Sequence, residues 1–189
     1  MITNKTILKV NLVISFLIFA IICNPSTFSF LFSSNPYSSV FAKTPSNCFD
    51  AKLTGENEVP SKKTKATGFV ELNANNGNNN SMIFKINVTN IEKATSIHLH
   101  KGKVGENGIS MMILYKTDFP SAITNGVLSS GNITSANLEN QSPVRNLKDL
   151  INLMNNGEVY VHVHTVANPA GEIRGQLLPC NATELNTFK

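Results

Sequence analysis

From residue 48 onward, apolar and polar positions alternate in short runs separated by Gly, Asn and Pro. Alternation with period 2 sends successive side chains to opposite faces, so each run predicts a strand with one buried and one wet face. Phe49 to Leu53 is the first, closed by Thr54-Gly55, and Gly68 to Leu72 (GFVEL) runs toward an Asn-rich stretch in which Asn76-Gly77 is a hairpin signal. In the next strand Met82, Phe84, Ile86 and Val88 alternate with Ile83, Lys85, Asn87 and Thr89. Thr95 to His100 (TSIHLH) follows, then a Gly-punctuated loop, then Ile109 to Tyr115 (ISMMILY), whose nearly continuous apolar run predicts a central strand covered on both faces. Gly126 to Thr134 is a further strand. Glu158 to Thr165 and Glu172 to Leu178 form the final pair, joined by the breaker-rich turn Val166 to Gly171. One segment departs from period 2: Leu147, Leu150, Ile151 and Met154 stand at i, i+3, i+4, i+7, with Asn156-Gly157 as a stop, so a single short helix is predicted near 147–155. The expected class is all-β, a Greek-key-like antiparallel β-sandwich with that helix packed over one end.

Ahead of the strands the pattern is of another kind. Lys5 and Lys9 precede the apolar run Val10 to Cys23, broken only by Asn11 and Ser15. This reads as an export signal, because a run of about fourteen residues is short for a span that needs about twenty. Phe28 to Phe32 is apolar again and Val40-Phe41-Ala42 suits cleavage, so residues 1–42 are expected to be a signal peptide or an N-terminal membrane anchor with a leader. Cys23 lacks the small residues before it that lipid attachment wants. The chain then divides into one domain over 48–179 and a tail over 180–189, which 189 residues accommodate.

Export changes how the cysteines are read. Cys48 and Cys180 stand at the two ends of the globular segment, and an oxidising compartment favours a disulfide between them. Closing so long a loop is worth on the order of 4 kcal/mol in the chain-entropy model. Asn79, Asn87, Asn132, Asn140 and Asn181 begin N-x-Ser/Thr sequons and are glycosylation candidates in a secreted chain. A net charge of +4 with only 15% charged residues and no Trp gives no basic stripe with aromatics beside it, so nucleic-acid binding is not expected. Lys62, Lys63 and Lys65 read as a solvated loop.

Four phrases carry a resemblance: LTGENEVP (Leu53 to Pro60), ATGFVEL (Ala66 to Leu72), ATSIHLHKGKVGENGI (Ala94 to Ile109) and VYVHVHTVANPAGEIRGQL (Val159 to Leu177). In that order and spacing the chain resembles the chordin-type (CHRD) domain family. The resemblance implies a secreted β-sandwich, found within chordin-like proteins and alone in exported microbial ones. It is also distantly similar in fold to immunoglobulin-like and copper/zinc superoxide dismutase-like sandwiches, in the second of which a His-x-His strand supplies metal ligands. The family's last motif more often carries Asn where His162 stands, so a second histidine pair is a property of this chain.

All four histidines fall in two H-x-H pairs, His98/His100 and His162/His164. Residues two apart on a strand share a face about 7 Å apart, and strands neighbour at about 4.8 Å, so adjacent strands would bring the four imidazoles into a compact rectangle. Such a set suits copper first and zinc second. A hydrogen-bonded structural cluster, or two exposed pairs on strands that never meet, are the alternatives. Superoxide dismutation at a binuclear site needs more histidines than the chain has, and a mononuclear copper redox centre would need an open coordination position. Enzyme signatures are otherwise missing: Ser129-Ser130-Gly131 is no nucleophile elbow, and a bridged Cys48 leaves no thiol nucleophile. Glu172 and Arg174 could form an ion pair closing the final hairpin, Glu56 and Glu58 would share a face if extended and could touch a cation, and Gly102, Gly105 and Gly108 allow a tight loop beside His100. The expected function is a non-enzymatic extracellular binding or structural module, secreted or at the cell surface, with an extracellular protein or surface ligand as partner and the membrane touched only through an uncleaved N-terminus. The alternative is an extracytoplasmic copper- or zinc-binding protein.

Overall fold

A computed structural model describes residues 45–74 and 80–180. The N-terminal apolar run with Cys23, the Asn76-Gly77 turn, the sequons at Asn79 and Asn181, and the tail beyond Cys180 lie outside the described residues. Among the described residues no helix is long and apolar enough to cross a membrane.

The period-2 runs are strands: β1 (Cys48–Thr54), β2 (Thr67–Ala74), β3 (Ser81–Ile91), β4 (Ala94–Lys101), β5 (Ser110–Lys116), β6 (Thr124–Thr134), β7 (Val159–Thr165), β8 (Ile173–Gln176) and the two-residue β9 (Leu178–Pro179). The i, i+3, i+4, i+7 segment is helix α1 (Leu147–Asn155). The side chain of its cap residue Asn146 accepts from the Asp149 N–H, and Leu147, Leu150, Ile151 and Met154 are its buried stripe. It stops at Asn156-Gly157, where Gly157 has φ +67.

The class is all-β and every pairing is antiparallel, in the order β5-β4-β7-β8-β1-β2-β3-β6, with β9 beside β1. Between its two four-stranded halves β8 meets β1 at one residue pair, Thr54 with Arg174, and β9 continues the contact along β1 at Asp50–Leu178 and Phe49–Pro179. Phe49, Val70, Leu72, Phe84 and Ile86 of one half and Ile97, Leu99, Val161, Val163 and Ile173 of the other join α1 in a single apolar cluster. Each such side chain contributes about 1.5–3 kcal/mol of burial. Cys48 and Cys180 form the expected disulfide, with Cα atoms 5.4 Å apart, and the Cys180 N–H donates to the Cys48 carbonyl.

One strand is placed differently from expectation. β5 is not central but ends the ladder, paired with β4 alone. Its apolar run arises because register shifts flank His98 and Leu99 in the β4/β5 pairing, turning both Met111 and Met112 into buried positions. Leu138 also bridges to Met112 along the strand's outer edge. Of the sequons inside the described residues, Asn132 and Asn140 are exposed and Asn87 is half-buried.

Candidate metal centre

β4 and β7 are neighbours, and His98 stands directly opposite His162. Along β7, Val159, Val161 and Val163 face the apolar core, leaving Tyr160, His162 and His164 on the other face. An antiparallel ladder that pairs His98 with His162 must pair His100 with Tyr160 and Ser96 with His164, and it does. The imidazoles therefore form not the expected rectangle but a diamond. His100 and His164 are flanked on one side by His162, with ring centres 5.2 and 4.3 Å away, and on the other by His98, at 5.7 and 5.1 Å. One ring nitrogen from each of His100, His162 and His164 lies within 4.8 Å of the other two, a spacing that can close around one ion, whereas His98 stands outside that group.

Hydrogen bonds fix which nitrogens are free. A carbonyl can only accept, so His100 donates from Nδ1 to the Gly108 carbonyl (2.9 Å) and His164 from Nδ1 to the Pro169 carbonyl (3.0 Å), which leaves each Nε2 with its lone pair. His162 Nε2 lies 3.0 Å from the Glu58 carboxylate; donation to it leaves Nδ1 as the lone-pair atom. His100 Nε2 and His162 Nδ1 are buried with no hydrogen-bond partner among the described residues. Buried nitrogens of this kind cost about 1–3 kcal/mol each unless something satisfies them, and a metal ion does so. A carboxylate or carbonyl behind each ligating imidazole is the usual outer shell of a metal site.

Local structure places those outer partners. Gly55–Asn57 form a 3-10 turn after the strand end at Thr54, so the segment carrying Glu56 and Glu58 is not extended. Glu56 and Glu58 therefore do not share a face: Glu56 is exposed, while the Glu58 side chain is only 5% exposed against His162. Arg174 ties this loop down, its Nε donating to the Asn57 carbonyl and its Nη1 to the Glu106 carbonyl and Asn107 Oδ1, with the guanidinium 4.5 Å from the Tyr160 ring centre. The expected Glu172–Arg174 pair is replaced. Glu172 precedes β8, and its carboxylate accepts from the hydroxyls of Thr64 and Thr165 (both 2.7 Å). The glycine loop serves as expected beside His100: a Cβ at Gly108 would run into the Lys101 backbone.

Sequence reasoning missed Gly171. With φ +124 it closes the Asn168–Gly171 turn, and any Cβ there would overlap the His162 ring. NPAGEIRG thus makes room for the His162 ring as well as joining two strands, and the only signal in the sequence was the glycine itself.

Comparison with protein-family profiles matches residues 49–177 to the CHRD domain. The chain belongs to the CHRD family. The match covers β1 through β8, so the histidine diamond lies wholly inside the CHRD domain. CHRD domains are typically extracellular, in keeping with the disulfide. No curated protein and no solved structure matches the chain.

Burial lowers the pKa of three histidines of this CHRD domain. Desolvation by burial is the main cause at each, and at His164 the value falls to about 4. Neutral imidazoles are the metal-binding form. Their depressed pKa values also set a sign for stability. Above the ordinary value of 6.5 their contribution is complete, and it is lost as the pH falls toward about 4, because the unfolded chain binds protons that the folded one refuses. The metal-free domain should therefore have a lower urea midpoint at about pH 5 than at about pH 7.5, and His164→Gln should narrow the difference. Equal midpoints at the two pH values would contradict this assignment.

Proposed function

We propose that the chain is an exported CHRD module, acting outside the cytoplasm without substrate turnover, whose ligand is one copper ion held by His100 Nε2, His162 Nδ1 and His164 Nε2. The carrying observation is the pair of orphaned buried nitrogens, His100 Nε2 and His162 Nδ1, within a triad whose opposite ring nitrogens are already committed to oxygen acceptors. Copper is favoured over zinc because divalent copper stands highest in the general affinity order for nitrogen sites. When bound, the ion would keep a coordination position free of protein nitrogen, as three-histidine sites do. Glu58 holds the His162 ring and its tautomer, and Arg174 holds the Glu58 loop.

The test is a competition titration of the purified full-length chain with Cu(II) and Zn(II) against a coloured chelator. One ion per chain is expected, with copper the tighter. His162→Asn keeps a residue that the family resemblance tolerates, so it should stay folded and lose at least about a hundredfold in affinity. Wild-type protein that takes up neither ion, or a folded His162→Asn variant that binds equally well, overturns the reading. Glu58→Gln is expected to weaken binding by about 10–100-fold, the usual effect of removing an outer-shell partner, while the fold persists. Unchanged affinity in that variant would remove Glu58 from the account.

A further inference from the structure

The donor set of the triad is electrically neutral. Among the described residues no carboxylate or thiolate joins His100, His162 and His164 at their 4.8 Å spacing, and His98, the fourth histidine, stands outside the group. Charge near the triad is already balanced before an ion enters. Glu58, 3.0 Å behind the His162 ring, is the one carboxylate hydrogen-bonded to a triad imidazole among the described residues. Arg174, only 3% exposed, stands opposite His162 on β8, with its guanidinium over the Tyr160 ring that stacks on His100 at 5.2 Å. The surroundings also disfavour a single added proton, since desolvation holds His100 and His164 neutral.

We propose that the triad is a cuprous site, in which His100 Nε2, His162 Nδ1 and His164 Nε2 hold copper more tightly as Cu(I) than as Cu(II). This rests on the triad reading. The cost of taking an ion out of water grows with the square of its charge, so a half-buried site of neutral ligands resists a divalent ion far more than a monovalent one. Coordination acts in the same direction. Cu(I) is satisfied by about three ligands, whereas Cu(II) favours about four in a square-planar or tetragonal set and must draw the remainder from water. Glu58 is the nearest offset to the ion's charge, and the divalent ion depends on it more than the monovalent one does. When bound Cu(II) is reduced by an ene-diol such as ascorbate, one electron passes to the copper and the ascorbate proton goes to solvent. The extra waters leave, and all three copper–nitrogen bonds are kept.

The experiment measures both affinities on the full-length chain: Cu(I) by anaerobic competition with bicinchoninate under ascorbate, and Cu(II) by competition with a coloured chelator in air. The Cu(I) dissociation constant should lie at least about a hundredfold below that for Cu(II). Glu58→Gln keeps the size of the side chain and removes its charge. It should weaken Cu(I) at least about fivefold less than it weakens Cu(II), so the ratio of the two affinities widens. A role for Glu58 in ring orientation alone would weaken both oxidation states equally. Cu(II) held as tightly as Cu(I) by the wild type overturns the proposal, and so does an unchanged ratio in Glu58→Gln. Failure of the wild-type chain to bind copper in either state is a different result, and it overturns the triad itself.

Discussion

Gly171→Ala should lower copper affinity by more than about a hundredfold and destabilise the metal-free fold by about 2 kcal/mol or more. Two effects add. A residue with a side chain is strained at φ +124, and the new Cβ would occupy the space of the His162 ring, pushing it off both Glu58 and the shared locus with His100 and His164. The control is Gly126→Ala on β6, where φ is +113 but nothing lies within 4 Å of the added carbon. That variant shares the backbone strain without the clash, so it should lose stability and keep metal affinity. Chemical denaturation and chelator competition on both variants separate the two contributions. A Gly171→Ala variant that binds copper like the wild type would show that His162 is not a ligand.

The second large effect is on the fold alone. Cys48→Ser with Cys180→Ser should remove about 2–5 kcal/mol of stability, because the bridge closes a sequence separation of 132 residues and restricts the unfolded chain. The bridge joins the start of β1 to the residue after β9, strands already paired at Phe49–Pro179 and Asp50–Leu178. The folded architecture should therefore survive at low denaturant, with a lower urea midpoint and copper affinity retained. Equal midpoints for the bridged and serine forms would contradict a stabilising role.

Much of this architecture was legible in the sequence because it depends on local period. The alternation from Phe49 to Leu53 and from Met82 to Thr89 gives β1 and β3, and the helical spacing of Leu147, Leu150, Ile151 and Met154 gives α1 with its stop at Gly157. β5 was misplaced because an apolar run can mean burial on two faces of a central strand or a bulged edge strand, and only the partner's register distinguishes them. The histidines were legible as a candidate set, but their diamond was not, since the outcome turned on whether His98 would face His162 or His164 across the ladder. Glu58 was legible only as one of two carboxylates. It reaches His162 across 104 residues of sequence, through a 3-10 turn that period-2 reasoning cannot anticipate. Gly171 was hidden for a similar reason: turn chemistry predicts a glycine there, but not which ring its missing side chain makes room for.

The central claim is that three imidazoles of this CHRD domain converge on one ion. X-ray absorption at the copper edge, on the full-length chain loaded with one equivalent of Cu(II), tests it most directly. The account predicts a first shell containing about three imidazole nitrogens near 2.0 Å, with one of them lost in His162→Asn. A shell dominated by oxygen, or a spectrum that His162→Asn leaves unchanged, would contradict it.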